Sequence, residues 1–208
     1  MDQIITQPLI DSALTFQQYL DLTKSIVESA TPEGPYANPT THRYTKSNLQ
    51  RMQRVLDNTV ISQRLYNQLS ELSDDWIWLV ISEPWCGDAS WGVPALYLMA
   101  NCSDRIDFKI ILRDQHPDIM RNYQTAGSDS VPKLICLRKG DLTEIGTWGP
   151  RPAVLHEMVL KWKNEPGADY RESVRQLHAW FEADMSRSID SELSILVKTW
   201  KEKIKTNT

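Results

Sequence analysis

Cysteine is scarce in this chain of 208 residues, with Cys86, Cys102 and Cys136 as its only members. An odd set cannot make an even disulfide framework, which points to a reducing compartment, and no two of the three stand at metal-ligand spacing. The four histidines, His42, His116, His156 and His178, show no such spacing either, so no metal and no cofactor is expected. With only eight glycines the chain has no glycine-rich phosphate loop, and it lacks a serine nucleophile elbow. No apolar run is long enough to span a bilayer, and the opening segment from Met1 to Pro8 lacks the charged and apolar regions of a secretory signal. A cytoplasmic protein without membrane contact is the expectation. Positive charge is not in excess: the net charge is -4, and no basic stripe interleaved with aromatics speaks for a nucleic-acid partner. Internal repeats and low-complexity segments are absent as well.

What is present is organised around Trp85-Cys86-Gly87-Asp88-Ala89, where an apolar run stops and a helical pattern begins. The run from Trp76 to Ser82 is short, β-branched and aromatic, the composition of a strand buried on both faces. A cysteine at the first turn of the following helix meets unpaired backbone N–H groups, which favour thiolate, the reactive form. Asp88 in the same turn suits the helix but places a negative charge near the sulfur, so the two influences oppose each other.

The rest of the chain supplies further elements. Apolar spacing predicts a helix within 12–30, and the three prolines of 31–39 predict a loop. A helix is expected from Lys46 to Leu72, with Ser47 or Asn48 as its cap and no convincing strand before it. The helix after Cys86 should run to about Asn101, kinked at Pro94. Strand patterns follow at 106–112 and, after a short helix opened by residues 113–119, at 130–137 behind Val131-Pro132. A turn at 139–141 leads to a fourth strand, and Pro152 suits the first turn of the helix ending near Asn164. From Asp169 to about Lys205 an apolar series steps by three or four, one helix or two parted near 186–188. Its apolar face can pack on the domain itself or form a homodimer contact.

This order of strand, Trp-Cys, helix, strand, helix, Val-Pro, strand, turn, strand and helix resembles the thioredoxin superfamily over roughly residues 46–165. The resemblance implies a three-layer α/β fold with a central mixed sheet of about four strands. Helical extensions would occupy residues 1–45 and 166–208. It also implies that Cys86 is the nucleophile, that Pro132 is a cis-proline facing it, and that the backbone of Val131 pairs with an extended substrate. Gly87 and Asp88 would lie at the substrate site, Trp85 and Trp148 at the apolar lip of a groove or simply in the packing. Arg151 would reach the same mouth or stand solvated at the surface.

Two departures bear on function. The second cysteine of the usual motif is Ala89, and the strand before Cys86 lacks the family's buried acid, with Glu83 and Asp88 the nearest carboxylates. Asp88 could serve as a proton acceptor or merely as a helix-start residue. Cys86 could begin disulfide exchange but would need an external thiol to finish it. Cys102, at the far end of the same helix, and Cys136, inside a strand, are poorly placed as resolvers. The expected activity is therefore single-cysteine thiol-disulfide exchange with a protein disulfide or a low-molecular-weight thiol. The alternative is a non-catalytic binding module on the same fold. A peroxidase is disfavoured, since no threonine stands shortly before Cys86.

Overall fold

The computed structural model describes residues 4–167 and 169–206. Four α-helices, α1 (Gln7–Ser12), α2 (Phe16–Glu28), α3 (Pro39–Asn58) and α4 (Gln63–Ser70), and a 3-10 turn at Gly34–Ala37 precede β1 (Trp76–Ser82) among these residues. Then come α5 (Gly87–Ala100), β2 (Ile106–Leu112), α6 (Pro117–Asn122), β3 (Lys133–Arg138) and β4 (Glu144–Trp148). Helices α7 (Ala153–Asn164), α8 (Tyr170–Asp184) and α9 (Arg187–Thr206) close the chain.

Every residue of β1 is buried. Alternation sends Trp76, Trp78 and Val80 into one core and Ile77, Leu79 and Ile81 into the other. The sheet order is β2-β1-β3-β4. Strand β2 runs parallel to β1 with Trp76 opposite Ile106, and the crossover that a parallel pair requires contains α5. Strand β3 is antiparallel to β1 with Trp78 opposite Cys136, and β4 is antiparallel to β3. One face carries α2 to α5 together with buried residues of α7, α8 and α9. The other is covered by Ile10 of α1 and by Ile119 and Met120 of α6. The result is the expected mixed four-stranded sheet between helical layers.

Several boundaries differ from the sequence expectation. The helix expected over 46–72 is two helices, because the chain leaves α3 after Asn58 and restarts with Ser62 capping Leu65 N–H. Helix α3 begins at Pro39, capped by the Asn38 side chain, so His42 is helical and the expected boundary at residue 46 falls inside α3. Asn48 is no cap; buried within α3, it donates to the Pro84 carbonyl at 2.9 Å and ties this helix to the segment before Cys86. Pro152 is the N-cap of α7, one place before its first turn. At the free edge of β2, Leu14 forms a single antiparallel bridge with Ile110, where a further strand would otherwise stand.

The C-terminal series is two helices, parted at Met185 and Ser186, whose φ angles of 44° and 68° end α8 in the left-handed region. Ile189, Leu193, Val197 and Trp200 of α9 are buried within the chain. Trp200 meets Trp76 edge-on at 6.2 Å and occupies the space above Gly146, where a Cβ would stand 2.0 Å from its indole nitrogen. Among the described residues no helix is long and apolar enough to cross a membrane.

Candidate functional site

Cys86 is the N-cap of α5 and its N–H donates to the Glu83 carbonyl, closing the turn between β1 and the helix. Cys86 makes no side-chain cap bond, but the backbone N–H groups of Asp88 and Ala89 at the start of α5 favour its charged form. The thiol in turn donates to the Val131 carbonyl at 3.2 Å, and the Val131-Pro132 peptide is cis. Pro132 packs against α5 where Gly92 leaves room, since a Cβ there would lie 3.0 Å from Pro132 Cγ.

The residue keeps some surface, yet protein surrounds the sulfur closely enough that burial pushes its thiol up to about 12. The Asp88 charge adds to the rise, while the two N–H groups and Arg151 pull the other way. The opposition foreseen at the helix start thus resolves upward, because desolvation joins Asp88. Asp88 forms an ion pair with Arg151, and both side chains are largely buried.

No acid lies within β1, but Glu83, immediately after it, is 2 % exposed. Its carboxylate accepts from Asp114 N–H at 2.9 Å, and Tyr36 also favours its charged form. Burial, reinforced by the Asp114 charge, pushes it up to about 7 despite these bonds. Beside it, Tyr19 and Ser82 share a buried hydroxyl pair at 2.9 Å.

Cys86 lines a cavity of about 500 Å³. Trp85, Cys86, Gly87 and Asp88 form one wall, and Arg151 with residues of α3, α7 and α8 forms the others. The Arg113 guanidinium stacks over Trp85, 4.7 Å from the ring centroid. His178 of α8 reaches across to Gly87: a Cβ added there would stand 2.9 Å from its Cε1 and 3.3 Å from its Nε2. Its Nδ1 lies 3.1 Å from Trp91 Nε1. An indole nitrogen only donates, so Nδ1 is the acceptor and the neutral ring carries its proton on Nε2. Burial, helped by Arg51, lowers His178 to about 4 and keeps it neutral.

Of the residues singled out in the sequence, Trp85, Cys86, Gly87, Asp88 and Arg151 meet at the cavity, and Val131 touches the sulfur. Trp148 is not at its lip; it is buried, and its indole N–H donates to Glu192 of α9 at 2.7 Å. Cys136 is sealed in β3, and Cys102, just past α5, places its thiol against the Leu98 carbonyl. Sequence reasoning missed Glu83 as a buried carboxyl, His178 and the contribution of α8. The only trace of the last two was His178 standing four places after Val174 on the apolar stripe of α8. Among the described residues no group of three or more His, Cys, Asp or Glu could hold a metal ion.

A family model described as Thioredoxin matches residues 34–170, well over half of the chain. Among solved structures, an HIV epitope scaffold superposes with a TM-score of 0.56 at 16 % identity, covering 92 % of this chain and 96 % of its own. A protein of unknown function from Pseudomonas aeruginosa gives 0.49 at 15 % identity, covering 94 % and 99 %. Curated proteins include no significant match.

Proposed function

The chain belongs to the thioredoxin family, and from that premise we propose that it performs thiol-disulfide exchange through Cys86 alone, with an external thiol completing each turnover. The observation that carries this reading is the sulfur's position: Cys86 is the N-cap of α5 and its thiol meets the Val131 carbonyl, just before the cis Val131-Pro132 bond. In the first step Cys86 gives up its proton and its sulfur attacks a disulfide R–S–S–R′. A Cys86–S–S–R bond forms, and R′–S⁻ leaves and takes up a proton. A low-molecular-weight thiol then attacks the R sulfur, carries R away as a new disulfide and returns Cys86 as thiol.

The upward push on this thiol shapes the kinetics. Little thiolate is present near neutrality, and a sulfur of high pKa is a poor leaving group, so the mixed disulfide forms slowly and persists. Ala89 offers no internal thiol to shorten its life. The three unpaired cysteines support a reducing, cytoplasmic setting.

Intact mass after incubation with a disulfide tests the reaction. The expected result is one adduct, mapped to Cys86, released by dithiothreitol and absent from Cys86→Ser. Failure to form it at any pH from 6 to 10 would exclude exchange. A second reading, a binding module that uses the same cavity without turnover, draws its support from the raised thiol and the missing resolver.

A further inference from the structure

The space before Cys86 is bounded by segments that differ from those behind it. Two features make an extended protein substrate a poor fit. The Val131 carbonyl, which such a substrate would need for backbone pairing, is engaged by the Cys86 thiol, and Val131 itself is 4 % exposed. Cys86 instead lines the cavity that α7 and α8 help to wall. Its volume of about 500 Å³ falls inside the roughly 300–1,000 Å³ of small-molecule sites.

The lining narrows the choice further. Val159 and Trp162 of α7, with Val174 and Leu177 of α8, give a largely apolar wall. Opposite Gly87, the Nε2 donor of His178 has no partner among the described residues, and the Trp91 bond fixes which nitrogen carries the hydrogen. Arg151 is already neutralised by Asp88, so the site presents a neutral donor rather than a free cation. That combination suits a ligand with a flat apolar body and a neutral hydrogen-bond acceptor.

We propose that the exchange partner of Cys86 is a low-molecular-weight disulfide with ring-sized apolar substituents, seated in this cavity with a ring acceptor on His178 Nε2–H. The assignment rests on the exchange reading for its covalent step but not for binding. The atoms balance as above: one half of the disulfide stays on Cys86, and the other leaves as its thiol.

Two probes separate binding from chemistry. The first is 1,2-bis(4-pyridyl)ethane, which has two carbons in place of a disulfide and cannot react; the second is 4,4′-dithiodipyridine. Calorimetric titration of the wild-type chain with the inert probe should show 1:1 binding. Val174→Trp, which fills the cavity, should weaken it at least tenfold, as should His178→Phe, while His178→Gln, which keeps a neutral donor, should restore most of it. Circular dichroism melts confirm that each variant folds; should Val174→Trp fail, Leu177→Trp replaces it. Binding together with a dithiodipyridine adduct on Cys86 supports both readings. Binding without an adduct upholds the cavity assignment and overturns exchange. An adduct that forms at an unchanged rate in the cavity-filled variant overturns the cavity assignment and leaves exchange standing. An equally fast adduct with a ten-residue peptide disulfide also overturns the small-molecule assignment.

Discussion

On one side of the Cys86 sulfur, the structure is closely packed; on the other it is open. Val131, Pro132 and Gly92 belong to the sheet approach and to α5, where one more carbon at Gly92 would stand only 3.0 Å from Pro132 Cγ. Across from them, α3, α7 and α8 leave about 500 Å³, and the cavity-facing Val174, Leu177 and His178 of α8 are only half-buried. The packed side fixes where the sulfur stands, whereas the open side decides what can reach it. Much of that open side comes from α8, which lies almost wholly outside residues 34–170. On the proposed reading, the fold keeps the position of Cys86 while α8 sets what reaches it.

The contrast can be broken at the atom both sides share. Cys86→Ser should abolish covalent capture of any disulfide, read by intact mass; capture that persists would move the chemistry to Cys102. Next in size is the support beneath both sides. Trp200→Ala empties the space above Gly146 and should cost about 3–5 kcal/mol in denaturant unfolding. A loss below about 1 kcal/mol would mean that α9 is not part of the core.

A paired substitution sharpens the comparison directly. Gly92→Ala drives a methyl into Pro132 on the packed side and should cost about 1–3 kcal/mol. Gly87→Ala meets the ring of His178, a side-chain end beside the cavity that can shift by a few tenths of an ångström without losing Trp91, so its cost should be smaller. Equal costs would erase the distinction between the two sides.

The smallest effects are in pH dependence, and their signs are opposite. Glu83 holds its proton more firmly when folded, at about 7 against an ordinary 4.5, so its contribution to stability falls as pH rises through that interval. His178 resists protonation, at about 4 against 6.5, so its contribution falls as pH drops from 6.5 toward 4. Glu83→Gln should therefore gain relative to wild type at pH 8 and nothing at pH 4. His178→Gln should gain relative to wild type at pH 4 and not at pH 8. Thermal melts across this range check both, and parallel curves for all three proteins would contradict the assignments.

The packed side was legible in the sequence because its signals are local: a β-branched run, a cysteine at a helix start and a proline at a strand mouth. The open side was not, because periodicity reports that a helix has an apolar face without saying what faces it. Val174 and Leu177 read as ordinary packing, and only the folded chain sets them around a cavity. Val60 carried the helical period across the break between α3 and α4, yet it is 82 % exposed in the connection. Nothing near Glu83 in the chain announced that its partner would be the N–H of Asp114, 31 residues on. Asn48 looked like a cap because its type suits one; its real partner, the Pro84 carbonyl, lies 36 residues on.

The most direct test is the alkylation rate of Cys86 as a function of pH, in wild type and in Asp88→Asn. The account requires a wild-type midpoint well above the ~8.5 of a free thiol, moving down when the Asp88 charge is removed and Arg151 is left to act on the sulfur. A wild-type midpoint at or below ~8.5, unmoved in Asp88→Asn, would contradict it.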